Sequence, residues 1–170
     1  MKNHIKIATQ VKKINVEKGV LPAVETILKK YKILPKNIEL TIKPNDAPNN
    51  LVLITEGEFG KNLVQKVKVP ENIFTFPMDM VVNLLAHEMI HIRQKTGSEP
   101  VLDKNEREFQ AYFEGVFPEI FVELPASPNW LKKQLATQAI RYFMQMGPGE
   151  LQTKYTEKKE KLDEFLASLT

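Results

Sequence analysis

The 170-residue sequence predicts an α+β fold, and three observations point to it. Hydrophobic spacing is helical near the N-terminus, alternates between residues 38 and 69, and turns helical again from residue 78. Prolines and glycines punctuate most of these changes. Apolar residues make up 42% and charged residues 26%, the balance of an ordinary globular chain with enough apolar material for a core. The length suits one domain, expected over residues 1–150. Residues 151–170 form a charged amphipathic C-terminal helix, packed on that domain or on a partner.

Taken in order, Val20, Val24, Ile27, Leu28 and Tyr31 recur at helical spacing and predict a helix over residues 16–32. Pro22 suits the first turn of a helix better than its interior. Pro35 ends this element, and residues 38–42 alternate as a strand. Residues 43–50, rich in Pro, Asn and Asp, read as a loop. Two β-type runs at 51–55 and 63–69, joined by a segment containing Gly57 and Gly60, predict a hairpin. Pro70 and Pro77 frame a short extended piece at 72–76. The period then changes, and Met80, Leu84, His87, Met89, Ile90 and Ile92 predict a helix over 78–95, with Asp79 near its start and Gly97 as its stop. A second helix is expected over 103–114, closed by Gly115. A short apolar piece at 118–124 and a proline linker at 125–128 lead to a helix over 129–146, ended by Gly147-Pro148-Gly149. Leu151, Tyr155, Leu162, Leu166 and Leu169 share one stripe of the final helix.

Composition narrows the function. The net charge of +3 comes from scattered Lys and Arg, too little for a nucleic-acid partner. No apolar run approaches the roughly 18 residues of a membrane span, so no membrane partner is expected. No signal-peptide pattern precedes the first helix, which favours the cytoplasm. Cysteine is absent, which removes disulfides and thiolate metal sites. No phosphate-binding glycine loop and no Ser or Cys nucleophile signature is present.

One segment carries chemistry: His87-Glu88-Met89-Ile90-His91, an H-E-x-x-H pattern inside the strongest helical stretch. Chance alone produces it in about one chain of this composition in two hundred. Residues four apart on a helix lie one turn apart on nearly the same face, so two imidazoles can present nitrogen to one Zn2+ ion. Glu88 sits about 100° round the helix, beside the metal, where a carboxylate can take a proton from an activated water. A third ligand must come from elsewhere. The only other histidine is His4, near the terminus, and Gln94 and Gly97 stand where a metzincin has its glycine and third histidine. A carboxylate remains, and Glu99, Asp103, Glu106, Glu108 and Glu114 are all within reach in sequence.

With these residues the chain resembles the zincin metallopeptidases, and among them the gluzincins. The stretch Arg107-Glu108-Phe109-Gln110-Ala111-Tyr112 is similar to the R-E-[YF]-x-A-D segment that supplies the third ligand in some gluzincins. The resemblance covers residues 79–114 and implies a zincin-like fold, with metal ligands His87, His91 and Glu108 and Glu88 as catalytic base. Glu106 and Glu114 follow Glu108 in order of preference. Tyr112 stands where the family often has an aspartate bonded to a ligand histidine. Asn83, a backbone carbonyl or another group would have to replace it. A phenol there can instead stabilise an oxyanion, a catalytic role for which Tyr142, beside Arg141, is a second candidate. The resemblance further implies an edge strand bordering the cleft, supplied by 63–69 or 72–76, on which a peptide binds as an added strand.

The expected function is therefore zinc-dependent hydrolysis of a peptide or protein substrate. The alternative is a zincin-fold assembly component, for example in a phage virion, with a structural or vestigial metal site and an oligomer or partner contact through the C-terminal helix.

Overall fold

Gly19 divides the N-terminal helical stretch in two. Its φ of +88° lies where side-chain-bearing residues are strained, and nothing crowds a Cβ there, so backbone conformation alone favours glycine. Helix α1 (Lys2–Lys18) precedes it and α2 (Val20–Lys30) follows. The single helix expected over 16–32 is thus corrected to two. The α1 stripe is thin: Ile7 and Val11 are buried and Ile14 packs beside them, while most of the helix is polar. Pro22 does fall in the first turn of α2, where its missing N–H breaks no intrahelical bond. Ala23, Val24, Ile27 and Leu28 form the buried face of α2.

This computed structural model describes residues 2–45, 47 and 50–169; the part of the expected 43–50 loop at residues 46, 48 and 49 lies outside them. Among the described residues there are six α-helices and one three-stranded mixed sheet, so the chain is α+β and mostly helical. Strands β1 (Ile38–Lys43), β2 (Ile54–Glu56) and β3 (Gln65–Pro70) lie in the order β1-β3-β2. The hairpin forms as expected, β2 running antiparallel to β3 with Thr55 opposite Val67. On the other side β1 runs parallel to β3, with Leu40 opposite Val67.

Two expectations about the sheet fail. The 63–69 run becomes the central strand, flanked on both sides, and cannot accept another strand. Residues 72–76 form a 3-10 turn, Ile73–Thr75, instead of extended chain. The free edge near the HExxH helix belongs to β2. It is shorter than the 51–55 run, although Leu51 and Leu53 still point into the core at 5% and 6% exposure.

Helix α3 (Met78–Thr96) bears the HExxH residues and buries side chains around most of its circumference. Its bounds match the periodicity closely. Helix α4 (Lys104–Val116) starts at Asp103, whose carboxylate accepts the Glu106 N–H at 2.8 Å. Gly115 lies inside α4, not after it. A Cβ there would meet Leu135 Cδ1 at 2.9 Å, so the glycine lets α5 approach. Helices α5 (Asn129–Gln145) and α6 (Glu150–Ala167) complete the chain. Tyr155 and Leu162 of α6 are buried against α4 and α5, with Phe165 and Leu166 packed beside them.

Apolar burial gathers into two cores. The first joins α1, α2, the sheet and α3 around Ile27, Leu28, Val67, Leu85 and Met89. The second joins α4, α5 and α6 around Phe109, Phe113, Ala139 and Phe143. Each fully buried Leu, Ile or Phe contributes about 1.5–3 kcal/mol. Helices α3 and α4 face each other across the boundary. No described helix is long and apolar enough to cross a membrane.

Candidate metal centre

The boundary between the two cores is where the HExxH histidines meet α4. His87 and His91, one turn apart on α3, bring their Nε2 atoms to 3.0 Å. Glu108 on α4 faces both, with one carboxylate oxygen 3.4 Å from His87 Nε2 and the other 3.5 Å from His91 Nε2. Bond lengths of 2.0–2.1 Å and tetrahedral angles place zinc ligands about 3.3 Å apart. The two imidazole nitrogens are close to that spacing, each has a Glu108 oxygen at a similar distance, and with one ligand atom from each residue all within 4.8 Å of one another the three form a group that could hold a metal.

Electrostatics favour the metal-binding state of two of the donors, His91 and Glu108. Burial lowers the pKa of His91, and the neighbouring His87 lowers it further. Burial alone would raise the Glu108 carboxyl, but the hydrogen bond from His87 and the charges of His91, His87 and Lys104 outweigh it and lower its pKa. Metal ligands need this neutral-imidazole, ionised-carboxylate state.

Gln94 sets the tautomer of His91. Its Nε2 donates to the Arg107 carbonyl at 2.9 Å, and a carbonyl can only accept. The Gln94 Oε1 must then face His91 Nδ1, 2.9 Å away, so Nδ1 carries the proton and Nε2 keeps its lone pair for the site. Gln94 thus takes the role for which Asn83 was a candidate. Asn83 instead donates to the Asp79 carbonyl at 3.0 Å and the Ser127 hydroxyl at 2.7 Å. The signal for Gln94 was available in the sequence, because three residues beyond His91 is the same helix face.

Glu88 lines the same cleft as the histidine pair and meets β2. It is buried, and its Oε2 accepts the Thr55 hydroxyl at 2.6 Å. Sequence reasoning missed Thr55, since no spacing rule links a strand residue to a helix 33 positions later. Lys95 ties the same strand down through the carbonyls of Thr55 at 3.2 Å and Gly57 at 3.3 Å.

Tyr112 and Tyr142 close the cleft from α4 and α5. The Tyr112 ring lies 4.6 Å from that of His87 and stacks on Tyr142 at 5.7 Å, with 14° between the planes. Burial and the Glu108 charge push the Tyr112 phenol up to about 12, so it stays protonated and able to donate at neutral pH. Arg141 covers the Tyr142 ring at 4.7 Å. Together with residues 50–55, Tyr112 and Tyr142 line a cleft of about 470 Å³ over His87, Glu88, His91 and Glu108. An apolar cavity of about 610 Å³ adjoins it, sharing Leu84 and Tyr112 and reaching to Trp130 and Leu135.

The other acidic candidates have separate structural roles. Glu106 is buried among Tyr155, Lys154 and Gln110, with the Tyr155 hydroxyl 2.6 Å and the Lys154 ammonium 2.8 Å from its Oε1. Glu114 caps the turn after α4 by accepting the N–H groups of Glu119, Ile120 and Phe121 at 2.7–3.0 Å. Asp103 is the cap of α4, and Glu99 is exposed. His4 is taken up by Asp79, at 2.8 Å, and by the Tyr31 hydroxyl. Against family models, curated proteins and solved structures the chain finds no match.

Proposed function

We propose that the chain is a zinc-dependent metallopeptidase of the zincin type. The observation that carries this reading is the convergence of His87, His91 and Glu108, with one ligand atom of each within 4.8 Å of the others and Glu88 lining the same cleft. His87, His91 and Glu108 hold the ion. Zinc held there would supply a water of lowered pKa, towards about 7, and a Lewis acid for a carbonyl oxygen. Glu88 accepts the proton of that attacking water and passes it to the leaving amine. Thr55 holds the carboxylate in place for both transfers. Tyr112 donates to the oxyanion that develops on the substrate carbonyl, with Tyr142 stacked behind it.

The 50–55 segment, which lines the cleft, borders the bound peptide in place of the two segments expected from sequence. The adjoining apolar cavity has room for a bulky apolar side chain of that peptide. The assembly-component reading is weaker, because Tyr155 and Leu162 of the tail helix are spent within the chain.

Zinc per chain by elemental analysis, with Glu108→Ala beside it and Glu88→Gln assayed for peptide hydrolysis, tests the proposal. About one zinc in the wild type, a sharp loss in Glu108→Ala, and retained zinc with abolished hydrolysis in Glu88→Gln are expected. Hydrolysis surviving in Glu88→Gln removes the enzyme reading, and wild-type protein without zinc after incubation with the metal removes the site.

A further inference from the structure

A line of hydrogen bonds leaves the metal centre through Gln94 and ends on the C-terminal helix. His91 Nδ1 meets Gln94 Oε1 at 2.9 Å, and Gln94 Nε2 meets Gln110 Oε1 at 2.9 Å. Gln110 Nε2 then meets the Tyr155 hydroxyl at 2.5 Å, and that hydroxyl meets Glu106 Oε1 at 2.6 Å. Gln94, Glu106 and Tyr155 are each at most 6% exposed, so water cannot readily stand in for a lost member.

The direction of every link is determined from both ends. At the far end, the Lys154 ammonium offers only protons, so Glu106 Oε1 accepts, and the Tyr155 hydroxyl is left to donate to it. The Tyr155 oxygen can then accept only from the Gln110 amide nitrogen, which turns the Gln110 oxygen towards Gln94. At the near end, the Arg107 carbonyl independently demands the Gln94 nitrogen. Both constraints agree, and both leave the Gln94 oxygen facing His91. Reversing one amide would set two donors or two acceptors against each other within the chain.

We infer that Tyr155 and Gln110 are positioning residues for the metal centre, forming with Gln94 and Glu106 a relay through which α6 holds His91 in the tautomer that presents Nε2. The Glu106 carboxylate stands four hydrogen bonds from His91 through Tyr155, whose helix lies near the end of the chain, and three through a longer direct contact from Gln110 Nε2 at 3.4 Å. This inference rests on the metal reading of the site.

The test uses metal-free full-length protein labelled with 15N on histidine, at a pH where both ring forms are neutral. Nitrogen–proton correlation spectra give the His91 tautomer, and competition with a chromogenic chelator gives zinc affinity. Wild type should show a single His91 tautomer, protonated at Nδ1. Gln94→Leu should show a mixture and lose up to about a hundredfold in zinc affinity; Tyr155→Phe and Gln110→Leu, which leave the Arg107 carbonyl to orient Gln94, should each show a smaller tautomer change and a loss of about tenfold. Leu162→Ala, which loosens the same helix without touching the relay, should keep the wild-type tautomer and affinity. An unchanged tautomer and affinity in both Tyr155→Phe and Gln110→Leu overturns the relay, as does an equal change in Leu162→Ala. Because the tautomer is read without metal, wild-type protein that fails to bind zinc while its variants change tautomer retains the relay and removes only the metal reading.

Discussion

Three glutamates on α4 have the same chemistry and different neighbours. Glu108 faces two imidazoles, Glu106 faces a phenol and an ammonium, and Glu114 faces three backbone N–H groups. Each arrangement satisfies a carboxylate, and only the first leaves it among other metal donors. The roles make a clean contrast in mutants. Glu114→Ala strands three backbone donors and should cost about 2–4 kcal/mol of stability, read by denaturant unfolding, with zinc stoichiometry unchanged. Glu108→Ala should show the reverse pattern, losing metal with a smaller change in metal-free stability. The resemblance of the 107–112 segment put Glu108 first, and Glu108 is the one of the three that stands with His87 and His91. Sequence reasoning could not assign Glu106 or Glu114, because their partners lie on a distant helix or in irregular chain. Thr55 was hidden for the same reason.

Helix boundaries were legible wherever apolar spacing and a stop signal coincided. Met78–Thr96 and Asn129–Gln145 depart from expectation by a residue at most. Helix α1 escaped because its buried stripe is short, and the reading began at Val16, which is in fact 86% exposed. Gly19 is the residue that separates α1 from α2, so it supplies the element-level test. Gly19→Ala should destabilise the protein by about 1–3 kcal/mol, since φ of +88° with an extended ψ is strained for alanine. A neutral thermal melt would show that the break between the helices can relax. The sheet was misread in a more instructive way. Alternation located β3, but pairing order depends on which chain lies on each side, and a parallel partner that precedes the hairpin leaves no mark on the strand itself. That error moved the free edge from β2 to its neighbour.

For the molecule as a whole, the lowered pKa of His91 has a defined sign. The unfolded chain takes up protons near the usual value of 6.5, while the folded chain resists them until lower pH. Metal-free protein should therefore lose stability as pH falls from 6.5 towards the folded value, because the unfolded state binds more protons there. Glu108, also lowered, extends the loss at more acidic pH. The Tm of metal-free wild type should drop between about pH 7.5 and 5.5, and that of His91→Gln should drop less; equal slopes would mean that His91 titrates freely. The same placement has a mechanical side. His87 and His91 belong to a helix of the first core, and Glu108 to a helix that sends Ala111 into that core and Phe109 and Phe113 into the second. An ion gripped by all three would act as a rivet through two plates, favouring only the geometry in which both are pressed together. Any slippage between the plates would shed the rivet, so cohesion and catalytic readiness would rise and fall as one quantity.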